Sequence, residues 1–98
     1  MAFKNASTTL TSTLATVYTC PASTEAVIHA IYVTPHVAST TVDLKAAGGW
    51  LGEAIPVAYG GSFSFPKPVN LVAGETIQAK CDVSSDASIF LSVLEKAA

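Results

Sequence analysis

The clearest pattern of apolar and polar positions in the sequence lies between Ala73 and Glu95. Between Thr76 and Val83 every second residue is apolar, which predicts a half-buried β-strand with one wet face. The run from Ser88 to Leu94 is mostly apolar on both faces, which predicts a strand in the centre of a sheet or one covered on its second face. Ser84-Ser85-Asp86 provides a short turn between the two strands. The pattern therefore predicts a β-hairpin.

The longest apolar run is Glu25 to Thr34, which Pro35 ends. A helix is the competing interpretation, but the β-branched residues and the closing proline favour a central strand. Strict alternation would divide this run into one face with Val27, His29, Ile31 and Val33, and a second face with Ile28, Ala30 and Tyr32.

Further strand-like runs are separated by proline and glycine signals, namely Leu14 to Cys20, Thr40 to Ala46, Trp50 to Tyr59, Ser62 to Phe65 and Val69 to Val72. Pro56 makes the run around it an edge strand or a bulged one. Phe3 to Thr13 is rich in Thr, Ser and Asn, which favours an extended strand or arm over a helix.

About eight short strands with turn signals between them and no helical stretch indicate an all-β protein. The predicted fold is a single small antiparallel β-sandwich, Ig-like or jelly-roll in connectivity. No linker or internal repeat divides the chain, so residues 1–98 form one predicted domain with an N-terminal arm at 1–13. The predicted core consists of Val17, Val27, Ile31, Val42, Leu44, Ile77, Cys81, Ile89, Leu91 and Val93.

The charged fraction is 12%, about half that of an average globular domain, whereas 50% of the residues are hydrophobic. A chain with so few charges has an apolar surface, and we expect contact with other chains to cover part of that surface. The net charge of -2, with only five Lys and Arg, offers no basic stripe for a nucleic-acid backbone. We therefore expect no nucleic-acid partner.

The first five residues lack the apolar run of a signal peptide, and no segment is long enough to span a bilayer. We expect synthesis in the cytoplasm and no membrane partner. Cys20 and Cys81 lie in strand-like runs, and in a reducing compartment two buried thiols are favoured over a disulfide. Neither cysteine has a ligand at zinc-binding spacing, so no metal or cofactor is expected.

Catalytic residue types are present without a catalytic context. Cys20 or Cys81 with His29 or His36 could supply a nucleophile and a base, but no motif surrounds them. His29 on an apolar strand face is predicted to be a hydrogen-bonded core histidine, and His36 a solvated turn residue. Glu25, Glu53 and Glu75 lie near turns without forming a carboxylate pair. We expect no enzyme, and assign no catalytic, cofactor or metal residue.

Trp50 stands among Gly48, Gly49 and Gly52. It could pack over one end of the core, anchor a protein interface or offer a platform to a sugar ligand. Three further aromatic residues follow, Tyr59, Phe63 and Phe65, of which the last two share a strand face and are predicted to lie in the core.

A two-layer sandwich buries one face of each sheet, yet two predicted strands have apolar residues on both faces. The surplus residues are Ile28, Tyr32, Phe90 and Leu94. A loop, the N-terminal arm or another chain could cover them. We expect another chain, and hence a homo-oligomer with the Phe3 to Thr13 stretch and Trp50 at the contact.

Three segments, YTCPASTEAVI, IPVAYGGSF and LVAGETIQAKCDVSSDASIFLSVLE, together resemble small structural proteins of tailed bacteriophage virions. The likeness spans roughly Leu14 to Glu95 and rests on strand and turn signals. It implies a non-catalytic virion protein, most of all a capsid decoration or cement protein that stabilises the head, and by analogy a trimer. The implied partners are the major capsid protein or other virion proteins, and the implied location is the virion. The alternatives are a neck, tail or baseplate component, or a carbohydrate-binding β-sandwich module.

Overall fold

The structure is a computed structural model, which describes residues 2–65, 67–82 and 87–98. Within these ranges the chain forms nine β-strands: β1 (Ala2–Thr9), β2 (Ala15–Thr19), β3 (Thr24–Pro35), β4 (Thr40–Ala46), β5 (Gly49–Val57), β6 (Phe63–Ser64), β7 (Val69–Val72), β8 (Thr76–Cys81) and β9 (Ala87–Ala97). None of the described residues belongs to a helix that is long and apolar enough to cross a membrane.

The strands form two antiparallel sheets. Sheet A has the order β1-β9-β3, with β6 and β7 on successive parts of the outer edge of β3, and sheet B has the order β2-β8-β4-β5. The first strand thus pairs with the last, the second with the last but one, and β4 with β5, which is the winding of a jelly roll. The predicted all-β sandwich is confirmed, and jelly-roll rather than Ig-like connectivity describes it.

The predicted hairpin over Ala73 to Glu95 is wrong. β8 lies in sheet B between β2 and β4, whereas β9 lies in sheet A between β1 and β3. The chain therefore crosses from one sheet to the other, and the apolar faces of β8 and β9 meet across the core instead of lying side by side. Alternation shows which face of a strand is buried, but not which strand lies beside it. The predicted turn at 84–86 lies outside the described residues.

The core lies between the sheets and confirms eight of the ten predicted positions: Ile31, Val42, Leu44, Ile77, Cys81, Ile89, Leu91 and Val93. Val17 is only half-buried, next to a register shift between Thr16 and Tyr18, and packs against the edge of the core. Val27 is half-buried as well and belongs to the outer face of sheet A.

A β-bulge at His29 explains the error at Val27. The register between β3 and β9 shifts between Ile28 and Ala30. Before this bulge, Ala26 and Ile28 face the core. After it, Ile31, Val33 and Pro35 face the core. Ile28, predicted for the second face, is therefore fully buried, and His29 is exposed rather than a core histidine. One extra residue inverts the faces, and a nearly continuous apolar run does not show where it is inserted.

The N-terminal stretch is a strand, not a free arm. β1 pairs with β9 from Ala2 opposite Glu95 to Thr9 opposite Ser88, and Leu10 then enters the core. Among the described strands β1 pairs only with β9, so it is one edge of sheet A. β5, which contains Pro56, is an edge of sheet B, as its proline predicts.

Candidate assembly surface

The cysteine and histidine side chains have separate structural surroundings. Cys20 is buried, with its Sγ 3.4 Å from the carbonyl oxygen of Thr24. Cys81 is buried on β8, and both side chains are thiols rather than halves of a disulfide. His36 is exposed, with its Nε2 2.6 Å from Ser88 Oγ. Among the described residues, no three His, Cys, Asp or Glu side chains form a group that could hold a metal ion.

Burial and nearby carboxylates disfavour the thiolate form of Cys20. Desolvation is the main cause that raises the pKa of its thiol, and the charges of Glu95, Glu75 and Glu25 raise it further. Since the thiolate is the reactive form, a raised pKa lowers the fraction of this cysteine that is ready to react.

A polar cleft of about 160 Å³ opens on sheet B, lined by Ser12, Thr41, Asp43, Lys80, Cys81 and Asp82. Asp43 Oδ2 is 3.5 Å from Lys80 Nζ, and its Oδ1 accepts a hydrogen bond from the amide of Ala54 at 2.6 Å. The second contact ties β5 to β4. Asp43 is thus engaged in holding two strands together.

The other acidic candidates also have structural contacts. Glu25 Oε2 lies 3.8 Å from Lys96 Nζ on the neighbouring strand, and Glu75 Oε1 accepts a hydrogen bond from the amide of Val72 at 2.8 Å. Glu53 is exposed on β5. These glutamates stand on different elements.

Glu95 is the one buried carboxylate among the described residues, and it joins three strands. Tyr18 on β2 donates its phenolic hydrogen bond to Glu95 Oε2, and Lys4 Nζ on β1 lies 2.9 Å from Oε1. The hydrogen bond from Tyr18, then that from Lys4, lowers the pKa of Glu95 against the opposing effect of burial. Burial and Glu95 together raise the pKa of Tyr18 well above its usual range. The cluster links the two sheets through side-chain contacts.

Trp50 lies on the outside of sheet B, 48% exposed. Lys45 Nζ is 5.0 Å from its ring centroid, a cation–π contact along the β4–β5 pair. The core-end alternative is therefore wrong. Phe63 and Phe65 pack against the core while half-buried, and Tyr59 is exposed.

On the outer face of sheet A, residues paired across β1, β9 and β3 form rows that run perpendicular to the strands. The registers define four uncharged rows: Phe3, Leu94 and Val27; Asn5, Ser92 and Ala30; Ser7, Phe90 and Tyr32; and Thr9, Ser88 and Thr34. We call these the Phe3 row, the groove row, the Tyr32 row and the threonine row. A fifth row, with Lys96, Glu25 and Val72, borders the Phe3 row and holds the charged residues.

Exposed apolar side chains concentrate on this face. Seven large apolar side chains are exposed among the described residues, and four of them lie here: Phe3 at 77%, Val72 at 57%, Tyr32 at 44% and Phe90 at 39%. The bulge also brings His29 out, and its ring stacks on Phe3 with centroids 6.0 Å apart and an interplanar angle of 8°. No Asp, Glu, Lys or Arg stands in the four uncharged rows.

The sequence prediction of a second apolar face holds for Tyr32, Phe90 and Leu94 and fails for Ile28. It overlooked the Phe3–His29 stack. Phe3 had a visible signal, since it is the large apolar residue within a Thr-, Ser- and Asn-rich strand. His29 had none, because only the bulge moves it to this side.

Fold and surface together define a small jelly-roll β-sandwich in which one sheet face has four adjoining uncharged, partly aromatic rows. A solved structure with this fold comes from Bacillus endospore appendages, described as forming "a novel family of disulfide-linked pili". The TM-score is 0.59 and the identity 20%, with 98% of this chain and 85% of that chain covered. At this identity the likeness shows a shared fold. The sequence matches no protein-family model and no curated protein.

This comparison overturns the functional prediction. The prediction of a phage virion protein is wrong, because the solved structure reported above is a bacterial pilus protein. This applies to the capsid decoration or cement protein and to the neck, tail or baseplate component alike. The carbohydrate-binding alternative fits no better. Capsid partners have no support either.

Proposed function

We propose that this chain is a non-enzymatic structural subunit that associates with further copies of itself. The observation that carries the proposal is the outer face of sheet A, where exposed aromatic side chains stand in rows without charge. A contiguous exposed face of this kind marks an interaction surface. The fold adds support, since a protein of the same fold belongs to a family that forms pili.

The polar groups support a structural role. Asp43 ties β5 to β4, Glu95 ties β9 to β1 and β2, and the Cys20 thiol is held protonated. Each is satisfied by a contact that the fold itself needs. A catalytic group has to be free to exchange its partner for a substrate.

The association we propose is non-covalent, unlike the disulfide linkage of the pili that share the fold. Cys20 and Cys81 are 1% and 2% exposed, so neither sulfur can reach a second copy without unfolding. The contact is then held by apolar burial and backbone or side-chain hydrogen bonds. The trimer expected by analogy with capsid decoration loses its basis together with that role.

The test is sedimentation equilibrium of the whole chain over a wide concentration range, at low and at high salt. We expect masses that are multiples of the 10.1 kDa chain, rise with concentration and change little with salt, because apolar contacts are not screened. A monomer at every concentration would overturn the proposal. Electron microscopy of the same samples then separates closed oligomers from filaments.

Truncation is a poor form of this test. Removing residues 1–13 would strip β1 from β9, remove Leu10 from the core and leave Glu95 without Lys4. The exposed edge of β9 would itself promote aggregation. Single substitutions on exposed faces avoid this effect.

A further inference from the structure

The outer face of sheet A has a relief that matches itself. The Phe3 row and the Tyr32 row are ridges, because they carry large side chains, and the groove row between them pairs only Asn5, Ser92 and Ala30. The His29 ring, which the bulge brings out between the Phe3 row and the groove row, stacks on Phe3 and so widens the Phe3 ridge. The threonine row is small as well. Alternate rows on one face of a strand are roughly 7 Å apart, so large and small rows follow each other at that spacing.

From this relief we propose that two copies stack through the outer faces of their A sheets, with the Tyr32 row of each copy seated in the groove row of the other. The inference rests on the proposed function and adds the surface, the symmetry and the register. The two-fold axis lies between the two faces, runs across the strands and passes midway between the groove row and the Tyr32 row. Each strand then faces the same strand of the second copy in the opposite direction.

This register is favoured by the whole set of rows. When the Tyr32 row meets the groove row, the same two-fold rotation brings the Phe3 row over the threonine row, so each large row meets a small one. The row with Lys96 and Glu25 falls beyond the threonine row of the second copy and stays at the rim, in contact with water. Charged pairs cost least when they stay solvated.

The other ridge-in-groove register is worse. Seating the Phe3 row in the groove row would place Tyr32 and Phe90 over Glu25 and Lys96. That arrangement buries a loosely paired glutamate and lysine, whose side chains lie 3.8 Å apart, under aromatic rings. Desolvation of such a pair opposes association.

The size of the face fits a pair of copies. The molecule measures 40 × 21 × 19 Å, so its broad face is on the order of 800 Å², which is close to the area that each partner buries in a standard protein interface. Sheets that stack face to face lie about 10 Å apart, with interdigitated side chains. A second copy therefore covers the exposed aromatic groups without any change in fold.

Three variants of the full chain test the register by sedimentation equilibrium. Tyr32→Lys puts a charge on the ridge, and we expect association roughly tenfold or more weaker. Ser92→Trp fills the groove with an apolar ring, and we expect a similar loss, because the ridge of the second copy no longer fits. Tyr59→Lys is the matched control, an aromatic residue 59% exposed outside sheet A, and should associate like the wild type.

Ser92→Trp is the decisive variant. An unspecific attraction between apolar surfaces would be strengthened by an added tryptophan, whereas a ridge-in-groove contact is blocked by it. Circular dichroism and the thermal midpoint at low concentration check that each variant is folded. If the wild type associates while Tyr32→Lys and Ser92→Trp associate equally well, this inference fails and the proposed function stands. If the wild type is always a monomer, the proposed function itself fails.

Discussion

Tyr18 and Glu95 connect the two sheets through their side chains, since the phenol on β2 of sheet B donates a hydrogen bond to the carboxylate on β9 of sheet A. The two residues are 77 positions apart in sequence. Glu95 also forms a salt bridge with Lys4 on β1, so the negative charge of Glu95 is both hydrogen-bonded and paired. A buried carboxylate is tolerated when it has such partners, and removing one of them lowers the stability of the fold.

Tyr18→Phe tests this link. The variant keeps the ring in place but removes the donor to Glu95, and we expect the free energy of unfolding to fall by about 1.5–3 kcal/mol, the range for hydrogen bonds to charged groups. Urea denaturation measures it. Tyr59→Phe, on an exposed tyrosine, should change stability by less than about 0.5 kcal/mol. Equal effects of the two substitutions would mean that the link contributes nothing.

The same carboxylate makes stability depend on pH. The pKa of Glu95 is lowered in the folded state by Tyr18 and Lys4, so the folded protein binds this proton less readily than the unfolded chain. The resulting stabilisation is fully present above the unfolded pKa of about 4.3 and is lost as pH falls through the lower folded pKa. We expect the stability difference between wild type and Glu95→Gln to shrink over that acidic range.

Urea midpoints at neutral and acidic pH measure this difference. Glu53→Gln, on an exposed glutamate, serves as the control and should follow the wild type at each pH. A constant gap between wild type and Glu95→Gln from neutral pH to below the unfolded pKa would contradict the prediction.

Because of the bulge at His29, truncating two neighbouring residues to alanine should destabilise the protein by unequal amounts. Ile28 is fully buried, so Ile28→Ala should destabilise the protein by about 2–5 kcal/mol through lost burial and a cavity. Val27 lies half-buried on the outer face, and Val27→Ala should cost less than about 1 kcal/mol. Strict alternation from Val33 back to Val27 would instead bury Val27 and make Val27→Ala the more destabilising substitution. Denaturation of the two variants at low concentration, where the chain is monomeric, distinguishes the bulge from strict alternation.

Both thiols should be protected in the native protein. Cys20 and Cys81 are buried, and the pKa of Cys20 is raised by that burial, so we expect slow reaction with a thiol reagent before denaturation and fast reaction after it. Non-reducing electrophoresis of assembled protein should show only the single-chain band. A cysteine-dependent dimer band from native material would show that association is covalent after all.

The sequence by itself determined the β class, most strand positions and most of the core. Prolines and glycines separate the runs, and alternation in Val42 and Leu44 on β4 or Ile77 and Cys81 on β8 shows which side is buried, because a strand with one wet face must alternate. It also indicated surplus apolar side chains on two strands. These signals are local, and local signals are what a single sequence contains.

Only the tertiary structure decided which strands are neighbours and where alternation is interrupted. β8 and β9 are consecutive yet lie in different sheets, because a buried face can be satisfied equally by a hairpin or by the opposite sheet. His29 occupies a bulge within a run whose residues are nearly all apolar, so hydrophobicity could not locate the inserted residue. The rows of the outer face, and the meeting of Tyr18 with Glu95, follow from pairings between strands distant in sequence, which no local pattern specifies.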